Sequence, residues 1–234
     1  MVEHGVDAVE IGLPYSDPVM DGPVIQAASQ IAIDNGEKIA NVFKAVETAA
    51  NAGGVPLVMS YWNLIYHYGV ERFARDFENA GGAGLITPDL IPDEAGEWIE
   101  ASDRHGLDRI FLVSPDSTDS RLKVVAGNAR GFVYAAAVWR HWRTFHHRCF
   151  SGRVGGTHAQ CRREERLRWH RRFHRRTRRA SRSYADGVIV GSALVHTMLD
   201  ESGKNAVDEA TGLKALAAKA EELADGVHNA RVAK

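Results

Sequence analysis

An acid inside a β-rich run is the first residue of this chain with the makings of chemistry. Glu10 lies in DAVEIG (7–12), near the end of a run patterned as a buried strand. Burying a carboxylate is costly without a partner and raises its pKa. A raised pKa suits a general acid/base. The plainer alternative is an edge carboxylate in solvent. The following loop, LPYSDPVMDGP, places Asp17 and Asp21 between prolines, where acids commonly act as turn residues or helix caps. Towards the other end, VIVGSA (188–193) passes from a strand pattern directly into a helical one. Gly191 lets a backbone come close, and the free N–H groups from Ser192 onward suit a phosphate. A small-residue turn for tight packing is the alternative there. A strand-end acid together with such a turn is more telling than either alone.

These residues need elements to hold them. Runs at 7–12, 55–60, 83–87, 109–113, 131–136 and 186–191 read as buried parallel strands. Between them, 24–35, 38–52, 70–79, 93–104 and 119–126 carry apolar residues at helical spacing, and 212–224 reads as a C-terminal helix. Asp93 and Asp119 are predicted as N-caps, and Gly36, Gly53, Gly81 and Gly106 suit helix ends. Repeated strand–helix units imply a parallel sheet, closed as a barrel or open and doubly wound. No GxGxxG follows a strand, which removes the support for a dinucleotide site and favours the barrel.

At 234 residues the chain fits one domain, against ~250 for a typical TIM barrel. No apolar run is long enough for a transmembrane helix, and the first residues lack a signal peptide's pattern. Two cysteines, Cys149 and Cys161, make no disulfide framework, so a cytoplasmic location is expected. The net charge of −1 conceals an asymmetry. Residues 139–183 hold 15 arginines, no lysine and two acids, a balance of +13, while the remaining 14 basic and 28 acidic residues give −14.

The run VEIGLPYSDPVMDGPVIQ (9–26) resembles the signature of the tryptophan synthase alpha subunit family. MSYWN (59–63), ITPDLIPDE (86–94), FLVSPDST (111–118), RGFVYAA (130–136) and YADGVIVGSALV (184–195) match it in the same order. Together they cover roughly 1–138 and 184–225. The resemblance implies an α/β TIM barrel and cleavage of indole-3-glycerol phosphate to indole and glyceraldehyde 3-phosphate. It implies Glu10 as general acid/base and Asp21 as the carboxylate that holds the indole N–H. Tyr61 and Tyr134 would line the indole pocket, and Gly191 and Ser192 would hold part of the phosphate. No metal or organic cofactor is implied in this subunit. Pyridoxal phosphate belongs to the beta subunit, the expected partner in an alpha2–beta2 heterotetramer, contacted by the loops around 15–21 and Asp89.

Two departures from the family stand out. The chain starts at the family's second strand, and 139–183 match nothing where a GVTG loop, a helix, a strand and a glycine-rich phosphate loop are expected. The barrel is therefore expected to be a single domain that is incomplete as written, with six of eight strands and an aberrant Arg-rich segment. That segment admits three readings. Arg with interspersed Trp and Phe suits a nucleic-acid-binding arm. A metal site is a second reading, but Cys149, Cys161, His170 and His174 lack the spacing of common zinc modules. The third is a shifted reading frame. Tryptophan is encoded only by TGG and arginine codons begin with C or A, so Trp139–Arg140 and Trp142–Arg143 read one base later each give glycine. The whole Trp139–Arg143 stretch can then give Gly-Val-Thr-Gly, the missing loop, and 168–176 can give Gly-Gly-Ile-Gly-Val-Ser-Thr-Ala-Glu. A frame change near Val138 reversed near Ser183 is the favoured reading. Little or no lyase activity is expected from the altered chain. The functional alternatives are another TIM-barrel sugar-phosphate enzyme, or a nucleic-acid-binding protein acting through the +13 segment.

Overall fold

The computed structural model describes residues 1–114, 116–136, 148–151 and 186–228. All six predicted strands are present: β1 (Ala8–Gly12), β2 (Val55–Met59), β3 (Gly84–Thr87), β4 (Asp108–Val113), β5 (Val133–Ala135) and β7 (Gly187–Ile189). They lie in chain order in one sheet, and β1 to β5 pair in parallel. Between β5 and β7 runs β6 (Arg148–Ser151), drawn from the Arg-rich segment and antiparallel to both neighbours. Two reversals cancel, so β7 points the same way as β1 to β5. The rest of the Arg-rich segment lies outside the described residues, and with it His170, His174, Cys161 and the expected phosphate loop.

Among the described residues, six helices fill the connections from β1 to β5: α1 (Pro23–Asp34), α2 (Ile39–Asn51), α3 (Trp62–Tyr68), α4 (Val70–Asn79), α5 (Gly96–Arg104) and α6 (Asp119–Asn128). A short α7 (Ser192–Val195) and α8 (Glu209–His228) follow β7. In α4, Val70, Phe73, Ala74 and Phe77 fall at i, i+3, i+4 and i+7 and are all buried. Charged residues occupy its other face. It ends where Gly81 takes φ +84°, a conformation costly for residues with a Cβ. Gly36, Gly53 and Gly106 likewise have positive φ just past helices.

Two predicted caps are corrected. Thr118, not Asp119, caps α6, its hydroxyl accepting from the Arg121 N–H. Asp93 lies in a 3-10 turn (Pro92–Glu94) and forms an ion pair with Arg121 instead. A flexible guanidinium competed for the carboxylate, which local sequence does not reveal.

Strand side chains alternate between two layers. Val58, Leu85 and Phe111 pack outward with Val46, Phe73, Phe77 and Trp98 of the helices. Leu57, Ile86, Ile110, Phe132 and Tyr134 form the inner cluster, with Met59, Leu112 and Ile189 against it. Burying each large side chain contributes about 1.5–3 kcal/mol relative to exposure. At the sheet's open side, α1 packs on α7, and α8 packs on α7 and on the 3-10 turn Val2–His4. The α8 residue His228 reaches Asp7 at 3.3 Å, beside the start of β1.

Candidate active site at the barrel mouth

The register decides where Glu10 points. It pairs with Leu57 of β2, and Ile11 pairs with Val58. Residues paired across parallel strands share a face, so Glu10 joins Leu57 on the inner side while Ile11 joins the helix layer. Glu10 is half-buried, and Tyr134 of β5 is fully buried on the same inner face. This is the edge-strand carboxylate turned inward, against the solvent-facing alternative.

Asp21 stands two residues before the start of α1, next to its N-cap Gly22, and it is only 9% exposed. Its carboxylate accepts a hydrogen bond from the Tyr61 hydroxyl at 3.1 Å. The same hydroxyl accepts from the Met20 N–H at 2.8 Å. Tyr61 is buried at the N-cap position of α3, immediately after β2. Burial pushes the Tyr61 phenol well above its ordinary range, the Asp21 carboxylate adds to the rise, and the Met20 N–H opposes it. Tyr61 is therefore a neutral donor at any working pH. The Tyr15 ring lies 4.9 Å from it, tilted by 34°. Asp17 is exposed and accepts from Ser16 Oγ at 2.7 Å, as a turn acid does.

Across the mouth, Gly191 and Ser192 follow β7 at the start of α7. The Gly191 carbonyl accepts from the Leu194 and Val195 N–H groups. A Cβ at Gly191 would meet nothing within 4 Å. Ser192 is 5% exposed, and its Oγ has no hydrogen-bond partner among the described residues. The structure thus joins Asp21 to Tyr61 directly and sets Glu10 and Tyr134 on one inner face. It puts Gly191 and Ser192 at the carboxyl end of a strand pointing the same way.

Asp89 is one residue whose local role sequence reasoning missed. Its two carboxylate oxygens accept from the Trp62 N–H at 2.9 and 3.2 Å. Nothing in the sequence signals this contact across 27 residues. A solvent-open depression between α4 and α5, lined by Glu71, Arg72, Glu97, Glu100 and Arg104, contains none of the candidate residues. Among the described residues no group of three His, Cys, Asp or Glu side chains is placed to hold a metal. No described helix is long and apolar enough to cross a membrane.

The family model for the tryptophan synthase alpha chain matches residues 1–141. This chain belongs to the tryptophan synthase alpha chain family. It is 65% identical over 250 aligned positions to the tryptophan synthase alpha chain of Bifidobacterium longum, covering 99% of this chain and 80% of that one. To the Salinispora arenicola alpha chain it is 49% identical, covering 97% and 84%. A crystal structure of tryptophan synthase from M. tuberculosis in an aminoacrylate-bound form matches with a TM-score of 0.74 and 40% identity, covering 97% and 83%. The alpha subunit from Legionella pneumophila matches at 0.74 with 25% identity, covering 97% and 84%. Tryptophan synthase alpha chains are TIM-barrel carbon–carbon lyases of tryptophan biosynthesis that cleave indole-3-glycerol phosphate. The sheet described above is a partial form of that barrel. Neither alternative function gains support from these relatives.

Proposed function

We propose that Glu10 is the general acid/base in cleavage of indole-3-glycerol phosphate to indole and glyceraldehyde 3-phosphate, with Asp21 receiving the indole N–H. The observation that carries this reading is the inward register of Glu10 opposite Leu57. In the reaction a proton is delivered to C3 of the indole ring, leaving positive charge on the ring nitrogen. The glycerol hydroxyl next to the ring gives up its proton, the carbon–carbon bond breaks, and its electron pair returns to the ring. Glu10 handles the protons, and the Asp21 carboxylate stabilises the charge at nitrogen. Tyr61 and Tyr134 line the indole pocket. Gly191 and Ser192 hold part of the phosphate, which fits the open space at Gly191 and the unpartnered Ser192 hydroxyl.

The same reading gives this subunit no cofactor of its own and assigns pyridoxal phosphate to a beta subunit. That partner is met through the loop at 15–21 and Asp89 in an alpha2–beta2 assembly in the cytoplasm. Residues 139–183 are read as the product of a shifted frame. The family match stops at residue 141, three residues past the point where the frame is inferred to change, while pairwise relatives extend across 97–99% of the chain. Without the loops expected there, substrate positioning is lost, and positioning supplies much of the barrier reduction. Indole release from indole-3-glycerol phosphate is the test. The chain as it stands should give little or none. A chain whose 139–183 segment is restored to the other frame, and which also carries the family's first strand, should turn over, and Glu10→Gln in it should lower the rate by about 10²–10⁴-fold. Equal turnover with and without the restored segment, or an active Gln variant, overturns the reading. Sequencing the coding DNA across codons 130–190 tests the frame change itself.

A further inference from the structure

We propose that Asp89 is a positioning residue for Asp21, acting through the first turn of α3 and Tyr61. Helix α3 has seven residues and no side-chain cap from its own N-terminus. Its first N–H, that of Trp62, is instead taken by both oxygens of Asp89, on the connection between β3 and α5. A carboxylate suits that place, because it meets both an orphan N–H and the positive end of the helix. The two-residue link between strand and helix, Ser60 and Tyr61, is thereby fixed from two sides. The Ser60 N–H donates to the Ile86 carbonyl of β3 at 3.1 Å, and the Trp62 N–H donates to Asp89. Between those anchors sits Tyr61, with Tyr15 over its ring, and the Asn63 amide donates to the Tyr15 hydroxyl at 3.4 Å. The Tyr61 hydroxyl then holds the loop after β1 by accepting from Met20 and donating to Asp21. The exposed carboxylate of Asp89 thus fixes the backbone that aims the hydroxyl that sets the buried carboxylate. Its consequence for catalysis rests on Asp21 being the indole-binding acid; the hydrogen-bond relay does not.

The full chain carries four methionines, at positions 1, 20, 59 and 198. Labelling with 15N-methionine therefore isolates the backbone amide of Met20, with Met59 and Met198 as internal controls. Tyr61→Phe defines where the Met20 crosspeak goes when the hydroxyl is gone. Asp89→Ala should move the Met20 crosspeak towards that position and leave Met59 and Met198 in place, and Asp89→Asn, which keeps an acceptor, should restore it. Trp62→Pro removes the donor and keeps the carboxylate. Proline is tolerated at the first helical position, and Tyr61 already has the extended backbone that precedes one. It should reproduce the Asp89→Ala shift, and the double variant should shift no further. The proposal is overturned by a Met20 crosspeak that stays put in Asp89→Ala or Trp62→Pro. Collapse of all three crosspeaks in both variants overturns it too, by making the contact a general requirement for folding. If indole-3-glycerol phosphate leaves Met20 unmoved in the chain with its 139–183 segment and first strand restored, while Asp89→Ala moves it there, the functional reading fails and the relay stands.

Discussion

Removing one oxygen atom tests how the mouth of this barrel is held together. Tyr61→Phe keeps the ring, its burial and its contact with Tyr15. It deletes only a hydroxyl that donates to Asp21 and accepts from Met20. A hydrogen bond to a charged group contributes about 1.5–3 kcal/mol, and an unsatisfied buried N–H costs about 1–3 kcal/mol. Both figures belong at their low ends here. The Tyr61–Asp21 bond is long for an O–H donor at 3.1 Å, and Met20 is only half-buried. The expected loss is therefore about 2.5 kcal/mol. For a chain of this size that lowers the melting temperature by about 5–10 °C. Thermal unfolding followed by circular dichroism reads it directly, with Tyr66→Phe as control, since Tyr66 is 60% exposed. Asp21→Asn combined with Tyr61→Phe should cost less than the two single changes together, because neighbours sharing a bond are not additive. A Tyr61→Phe melting temperature within about 1 °C of the unaltered chain refutes the reasoning.

Other outcomes follow from the helix layer. His105 joins α5 to α4 by contacting Glu78 at 2.7 Å and Glu71 at 2.9 Å, and those two hydrogen bonds raise its pKa above the ordinary 6.5. A group with a raised folded pKa stabilises fully below its unfolded value and loses that contribution as pH rises through the folded one. The stability gap between the unaltered chain and His105→Gln should accordingly be present at pH 5.5 and shrink by pH 9, measured by urea denaturation; a gap that widens contradicts the bridge. Gly82→Ala should destabilise by about 1–3 kcal/mol, because its Cβ would lie 2.1 Å from the buried Phe77 ring. Gly96→Ala, at a helical position with nothing within 4 Å, should instead raise stability by roughly 0.4–1 kcal/mol. Finding the two alanines equal in a melting experiment would remove the Phe77 contact as the cause.

Six strands were legible in the sequence because β-branched and apolar runs at regular spacing have few other uses. Glu10 was legible for the same reason, since an acid within such a run is conspicuous. Helix α3 was not. Its sequence, WNLIYHY, is short and aromatic, without the spacing that marks α4. What starts it is a carboxylate from another loop, invisible to any local reading. The bond between Asp21 and Tyr61 was equally hidden, because 40 residues and two helices separate the partners. Both had been expected at the mouth, yet their direct contact depends on how the β1–α1 loop folds back over β2. The acids at 93 and 119 were misassigned as caps because propensity ranks Asp highly at that position, whereas Thr118 lay one residue earlier with the same capacity.

The distant cap on α3 also sets an order of events. A seven-residue helix does not persist alone in water. This one borrows its first hydrogen bond from Asp89, which reaches it only after β3 has docked on β2 and the chain beyond has turned. Tyr61 is aimed only then, and Asp21 can be fastened only once Tyr61 is aimed. A chain emerging from the ribosome would thus make Glu10 and Asp21 before β2 and β3 and be unable to fix Asp21 until some seventy more residues had followed. An earlier-made part of the mouth thus sets after a later-made one, so slow β2–β3 pairing would delay the loop after β1 even though that loop precedes both strands in the chain.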